Sequence, residues 1–556
     1  MRETTLRLYV QLTVILLFGI ATGIAAAQQR PNLLLIVADD LGYSDLGCFG
    51  GEIATPHLDS LAAGGVRLTQ FYNTGRCCPS RAAILTGQYP HRVGLGHMTT
   101  DLQQPGYRGR VSDQATTVAE VLRRQGYQTY LSGKWHLGTQ DPTQHGFDEF
   151  YGTLVSAKTF WDPDHFLRLP AGRPRREYRS EEFYGTDALG DHAVDFLQAA
   201  RETPDRPWFL YLAFNAPHFP LQAPRREIAK YADSYQVGWD VIRRRRLRRM
   251  KQLGIVDTAT KLSARSRYWD WGEAAGRHNP AWKRLPSDRQ GDLARRMAIY
   301  AAMVDRLDQN VGRLIKNLRE NQELANTLIL FTSDNGACFE WDPHGFDVRS
   351  SRNNVLHWDD QLERMGGPDT FHSVGSGWAN ASNTPWRLYK HYNHEGGIAS
   401  PGIIHWPAKL ADSQPIIATP AHVIDIFPTL VEASGLADPT TRVAENAGAG
   451  RNKLPPAGVS LLPVLRGQPV AERDLFFEHQ GNRAVRRGDW KLCALRGGPW
   501  ELYNMRSDRV EMNDLAASQP SLVQSLAAAW DAWATANHVT PLPVDYGVGY
   551  LAPLAE

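Results

Sequence analysis

Asn32-Leu33-Leu34-Leu35-Ile36-Val37-Ala38 is apolar after its first residue and ends on Asp39-Asp40-Leu41-Gly42. An unbroken apolar run of strand length, with no polar alternation, reads as a central strand buried on both faces of an α/β sheet. Ligands of such sheets collect at the carboxyl ends of the strands, so Asp39 and Asp40 fall where a site is expected. Adjacent carboxylates repel unless a cation lies between them, and paired oxygen ligands suit a hard cation such as calcium. A helix-capping pair in a loop is the competing reading. A second run, Thr327-Leu328-Ile329-Leu330-Phe331-Thr332-Ser333, ends on Asp334-Asn335-Gly336. Gly336 permits the tight turn that brings Asp334 and Asn335 to one ion. Together the four form an oxygen-only set, whereas zinc would normally add histidine.

Two more strands end on basic groups. The first, at 128–131, runs into Gly133-Lys134-Trp135-His136-Leu137-Gly138. If the chain is still extended there, Lys134 and His136 point to one side. A cation beside an imidazole suits an anion undergoing acid–base chemistry. The second, at 207–214, ends at Asn215-Ala216-Pro217-His218. Between the strands, a helix from 293 to 320 carries an apolar stripe (Met297, Tyr300, Val304, Leu307, Val311, Leu314) that reads as core.

Gly75-Arg76-Cys77-Cys78-Pro79-Ser80-Arg81 feeds a helix through Ala82-Ala83-Ile84-Leu85-Thr86-Gly87. Pro79 suits the first turn, and Arg81, four residues after Cys77, can share its face. A helix N-terminus beside arginine is an anion site that favours a charged sulfur. A tyrosine phosphatase would need arginine six residues after its cysteine, and position 83 is alanine.

Cys-x-Pro-Ser-Arg with Leu-Thr-Gly, and Gly-Lys-Trp-His-Leu-Gly, resemble the signatures of the type I sulfatases, most closely the bacterial arylsulfatases. The resemblance extends to Lys390 ahead of His394-Glu395-Gly396-Gly397. It implies an alkaline-phosphatase-like α/β sandwich with a large mixed sheet, closed by a smaller C-terminal antiparallel sheet and helix. It also implies that a separate maturation enzyme oxidises Cys77 to Cα-formylglycine, whose hydrate attacks sulfur. One calcium ion would be held by Asp39, Asp40, Asp334, Asn335 and the modified residue 77. Arg81, Lys134 and Lys390 would neutralise charge, with His218 and Lys390 toward the leaving group and His136 taking a proton. The implied reaction is sulfate release from an aryl or carbohydrate sulfate. Two alternatives stand beside it: a phosphonate or phosphodiester hydrolase of the same superfamily, and a catalytically silent sulfoglycan-binding protein.

The 556 residues divide into a signal peptide (1–27), a catalytic domain (28–467) and a C-terminal α+β subdomain (468–556). Arg2 and Arg7 precede a short apolar run and Ala25-Ala26-Ala27, the order of a secretory signal. Export to the periplasm or medium is expected, with no stable membrane span after cleavage. A net charge of +2 offers no field for nucleic acid. Residues 243–249 hold six arginines around Leu247. Two readings stand: a solvated helix paired with acids elsewhere, or a surface that attracts a polyanion. The block 225–290 otherwise reads as polar and irregular, and 341–381 as loops over the site. A linker is expected at 444–458. His145 and His479 read as structural. Five cysteines leave disulfide pairing open.

Overall fold

The computed structural model describes residues 30–179, 181–268, 277–348, 353–410, 413–436 and 453–543. The expected signal peptide and the first part of the expected linker lie outside the described residues. Strand β1 (Asn32–Ala38) sits inside a ten-stranded sheet. The other members are β2 (Val66–Tyr72), β3 (Gln128–Lys134), β4 (Glu149–Thr153), β5 (Leu167–Leu169) and β6 (Trp208–Ala213). After a separate ribbon, β7 (Arg267–Tyr268) with β8 (Arg277–His278), come β9 (Thr327–Ser333), β10 (Ala399–His405), β11 (Ile416–Ile417) and β12 (Ala421–His422). The order is β11-β2-β10-β9-β1-β6-β3-β4-β5, with β12 also on β2. From β9 to β4 the strands are parallel, while β10 runs antiparallel to both neighbours, so the sheet is mixed.

β1 alternates between two cores, which explains its unbroken apolar run. Leu34, Ile36 and Ala38 enter the core that also takes Met297, Val304 and Leu307 of the long helix Ser287–Glu320. Leu33, Leu35 and Val37 enter the opposite core with Ala82, Ile84 and Leu85 of the helix Cys77–Thr86. The long helix begins at Ser287, six residues before the expected start at 293. Its Tyr300 does more than pack: the hydroxyl donates to Asp45 Oδ2 at 2.7 Å, behind the turn that follows Asp40.

The block 225–290 is more regular than its composition suggests. It contains the helices Arg225–Ala229 and Trp239–Gln252, the second being the arginine-rich run. Its buried face is built on Trp239, Ile242, Leu247 and Met250, spaced for a helix but hidden among charges. Arg243 and Arg246 are themselves buried, so a polyanion surface made of the whole run is corrected to a helix with two structural arginines. All five cysteines are buried and unpaired. No helix among the described residues is long and apolar enough to cross a membrane.

The second sheet, β13 (Asp474–His479), β14 (Asn482–Arg487), β15 (Trp490–Ala494) and β16 (Glu501–Asn504), is antiparallel and packs against the helix Pro520–Ala536. Lys491 Nζ reaches Glu395 Oε1 at 3.0 Å and Glu511 Oε1 at 2.7 Å, and Arg509 Nε reaches Glu395 Oε2 at 2.8 Å. This buried knot ties the small sheet to the segment that follows Lys390. Burial alone would raise the Glu395 carboxyl, but Lys491, Arg509 and Arg486 outweigh it and hold it below the usual range. A depressed carboxyl contributes stability above its unfolded value, near 4.3, and loses it as pH falls further. The thermal midpoint is therefore expected to drop steeply below about pH 4, and Glu395→Gln should flatten that limb. An unchanged acid limb would refute the assignment.

Candidate active site

Four strand ends converge. Asp39 and Asp40 follow β1, Asp334 and Asn335 follow β9, Lys134 ends β3, and His218 lies five residues beyond β6. β1 has β9 on one side and β6 on the other, and β3 lies beyond β6, so neighbouring tips deliver these groups together. All are buried; His218, at 7 %, is the most exposed of them.

The charges are paired across elements. Lys134 Nζ donates to Asp39 Oδ2 at 2.6 Å, and Lys390 Nζ to Asp40 Oδ1 at 2.8 Å. Arg81 Nε donates to Asp334 Oδ2 at 2.8 Å and its Nη1 to the Lys134 carbonyl at 3.0 Å. Asn335 Nδ2 donates to Asp40 Oδ1 at 2.6 Å, and His218 Nε2 lies 3.6 Å from Asp40 Oδ2. Burial pushes Asp334 up, with Asp39 adding to it, while Lys134, His218 and Arg81 overcome burial to hold Asp39 down. Asp39 Oδ1 and Asn335 Oδ1 are buried without a hydrogen-bond partner. Oxygen atoms left bare among three carboxylates are what a hard cation would fill, so the donor set fits calcium.

Cys77 opens its helix with Arg76 at the cap, and the cap side chain makes no hydrogen bond to the first turn. The first-turn N–H groups are therefore not satisfied by a cap side chain, which leaves this helix end suited to an anion. Ser80 Oγ accepts from Thr74 N at 3.0 Å, which folds the preceding loop onto the helix. The Cys77 thiol is held well below its usual value: Cys78, the charge of Lys134 and a hydrogen bond from His136 outweigh burial. Burial and Lys134 lower His136 to about 4, so its ring is neutral near pH 7.

Every predicted site residue joins this cluster, but the geometry departs from the expectation in two places. β3 ends at Lys134, and His136 has a left-handed φ of 55°, so strand alternation does not orient it. Asp40, with φ 67°, is likewise left-handed, a strain typical of functional turns. Gly336 is required by close approach rather than by its own turn: a Cβ there would sit 1.9 Å from the Gly396 carbonyl. That contact presses the Asp334-Asn335 turn against the segment after Lys390.

Sequence reading missed Glu340, a fully enclosed carboxylate 4.0 Å from Lys390 Nζ, 3.8 Å from Arg76 Nη2 and 3.1 Å from His391 Nε2. These three overcome its burial and keep it ionised. Nothing in its sequence context marked it. It balances the charge between the Cys77 loop and Lys390. Glu340→Gln is expected to lower kcat about 10–100-fold, the usual cost of losing a supporting contact. An unchanged kcat would show that Glu340 only packs. Beyond it, the 341–381 stretch contributes Phe346 and Phe371, whose rings lie 5.0 and 6.1 Å from that of Phe219, next to His218. His145 packs on Trp135, as a structural residue should. His479 is buried beside His97 and His391.

A parallel-centred sheet whose tips gather acids, lysines and a helix-borne cysteine defines a hydrolase of anionic esters. The family model described as Sulfatase matches residues 31–436. The chain belongs to the sulfatase family and is a sulfuric ester hydrolase. It is 33% identical over 571 residues to an uncharacterized sulfatase of Schizosaccharomyces pombe (strain 972 / ATCC 24843), covering 95% of this chain and 98% of that one. It is 32% identical over 465 residues to the arylsulfatase of Klebsiella aerogenes, covering 79% of this chain and 93% of that one. Among solved structures it is similar to Ps i-CgsB in complex with k-i-k-neocarrahexaose, at 25% identity and TM-score 0.62, over 92% of this chain and 94% of that one. The alkaline-phosphatase-like sandwich holds.

Proposed function

We propose that this enzyme releases inorganic sulfate from an aryl or carbohydrate sulfate, using Cys77 matured to Cα-formylglycine and one calcium ion held by Asp39, Asp40, Asp334 and Asn335. The observation that carries the reading is the pair of bare, buried oxygens, Asp39 Oδ1 and Asn335 Oδ1, in the same charge cluster as the cysteine that opens the helix Cys77–Thr86. When present, the two groups supply a hydrated-aldehyde nucleophile and Lewis-acid polarisation of the ester.

The chain's own residues do the rest. Lys134 and Arg81, fixed by Asp39 and Asp334, place positive charge around the sulfuryl oxygens. Lys390 and His218 flank Asp40 on the leaving-group side, where His218 Nε2 can give a proton to the departing oxygen. His136, neutral and beside residue 77, can accept one. The near-complete burial of these groups excludes water from their charges. A relative bound to neocarrahexaose supports a carbohydrate substrate. The N-terminal 1–27 segment supports export, and maturation of Cys77 implies contact with a formylglycine-generating enzyme.

The test compares kcat/KM on an aryl sulfate with kcat/KM on the matching aryl phosphodiester. A clear preference for the sulfate is expected. A preference for the phosphodiester would favour the alternative hydrolase, and no turnover of either by protein lighter by about 18 Da at Cys77 would favour the binding protein.

A further inference from the structure

Position 78 is the variable place in the motif, and in this chain it is a second cysteine. Its side chain does not turn away. Cys77 Sγ, Cys78 Sγ and a ring nitrogen of His136 all lie within 4.8 Å of one another, and none of the three residues is more than 3 % exposed. In addition, His136 Nδ1 is buried and has no hydrogen-bond partner. Two sulfurs and an imidazole form a soft donor set, unlike the oxygen set beside them. Tetrahedral zinc with sulfur at about 2.3 Å and nitrogen at about 2.0–2.1 Å places its ligand atoms roughly 3.5–3.8 Å apart. The trio is already inside the range from which small rotamer changes reach that geometry.

We propose that the encoded, unmatured enzyme binds one thiophilic d10 cation, Zn2+ or Cd2+, through Cys77, Cys78 and His136, and that conversion of Cys77 destroys the site. The charge balance supports it. Lys134 is paired with Asp39 and Arg81 with Asp334, so each of these nearby cations already has a carboxylate partner. Two thiolates then match a divalent ion, and binding releases the thiol protons to solvent. Once residue 77 carries an aldehyde, a single sulfur and a histidine remain. The inference concerns only the unmatured chain, through its two thiols and His136, so its failure leaves the proposed reaction untouched.

The test uses full-length protein produced without maturation, with the Cys77 thiol verified by intact mass. Cd2+ alone is titrated while the thiolate-to-cadmium absorption in the ultraviolet is followed. One equivalent is expected, with the band abolished in Cys78→Ala and in matured protein, and with at least tenfold weaker binding in His136→Ala. Circular dichroism checks that the variants fold. On the unsubstituted protein, Zn2+ is expected to protect Cys77 from iodoacetamide, read by peptide mapping. The absence of a band, a band that survives Cys78→Ala, or alkylation at an unchanged rate with Zn2+ would each overturn the proposal.

Discussion

Cys77→Ala is expected to give a folded protein that releases no sulfate above background, a loss on the order of 10⁴-fold or more, as for removal of other enzymic nucleophiles. The fold should survive because the change removes one buried sulfur at the start of a helix, and alanine is the better helix former. The charge lattice around it also persists, since Lys134–Asp39 and Arg81–Asp334 do not depend on the sulfur. Cys77→Ser is the sharper variant. Its hydroxyl keeps the size and polarity of the site, but its carbon carries one oxygen where a hydrated aldehyde carries two. A serine enzyme, prepared by aerobic maturation, is therefore expected to be as inactive as the alanine one. Unaltered circular dichroism with more than about a tenth of the activity in either variant would sink the reading of residue 77.

The sheet was legible because burial on two faces leaves a plain trace. β1 and β9 are unbroken apolar runs since each alternates between two cores, and their acids mark the carboxyl ends. The small second sheet was legible for the opposite reason: short runs separated by turns, as at Arg487-Gly488-Asp489 between β14 and β15. The helix Trp239–Gln252 was legible as one of two readings of its arginine run, a helix paired with acids elsewhere, but its buried face was not. Its apolar positions are few, and two of the residues on its buried face are arginines, which composition assigns to solvent.

At the site, chemistry travelled better than geometry. Asp39, Asp40, Asp334, Asn335, Lys134 and His218 could be placed at strand tips from pattern alone. The left-handed backbone at Asp40 and His136, and the steric need for Gly336, depend on contacts from distant segments that no local pattern encodes. Glu340 shows the same limit. An acid in a loop is ordinary; an acid enclosed by Lys390, Arg76 and His391 is a counter-charge.

Arg246 offers the largest expected effect on stability. Its Nη1 reaches Asp45 Oδ1 at 2.5 Å, and its Nη2 and Nε reach Glu52 Oε1 at 2.7 Å and Oε2 at 2.8 Å. Arg246→Ala strands two carboxylates, and removing one partner of a buried pair costs about 3–5 kcal/mol. Arg244 and Arg245 share the charge run but face solvent, so alanine at either should stay within about 0.5 kcal/mol. The urea midpoint separates these cases, and a shift for Arg246→Ala no larger than that for Arg244→Ala would refute the structural role. The loss should also reach the site. Asp45 Oδ2 accepts from Gly42 N at 2.8 Å and from Tyr300 Oη at 2.7 Å, so Arg246 steadies the turn that carries Asp40. A dense arginine run that invites a polyanion reading therefore includes a residue whose work is to hold two acids in place behind the active site.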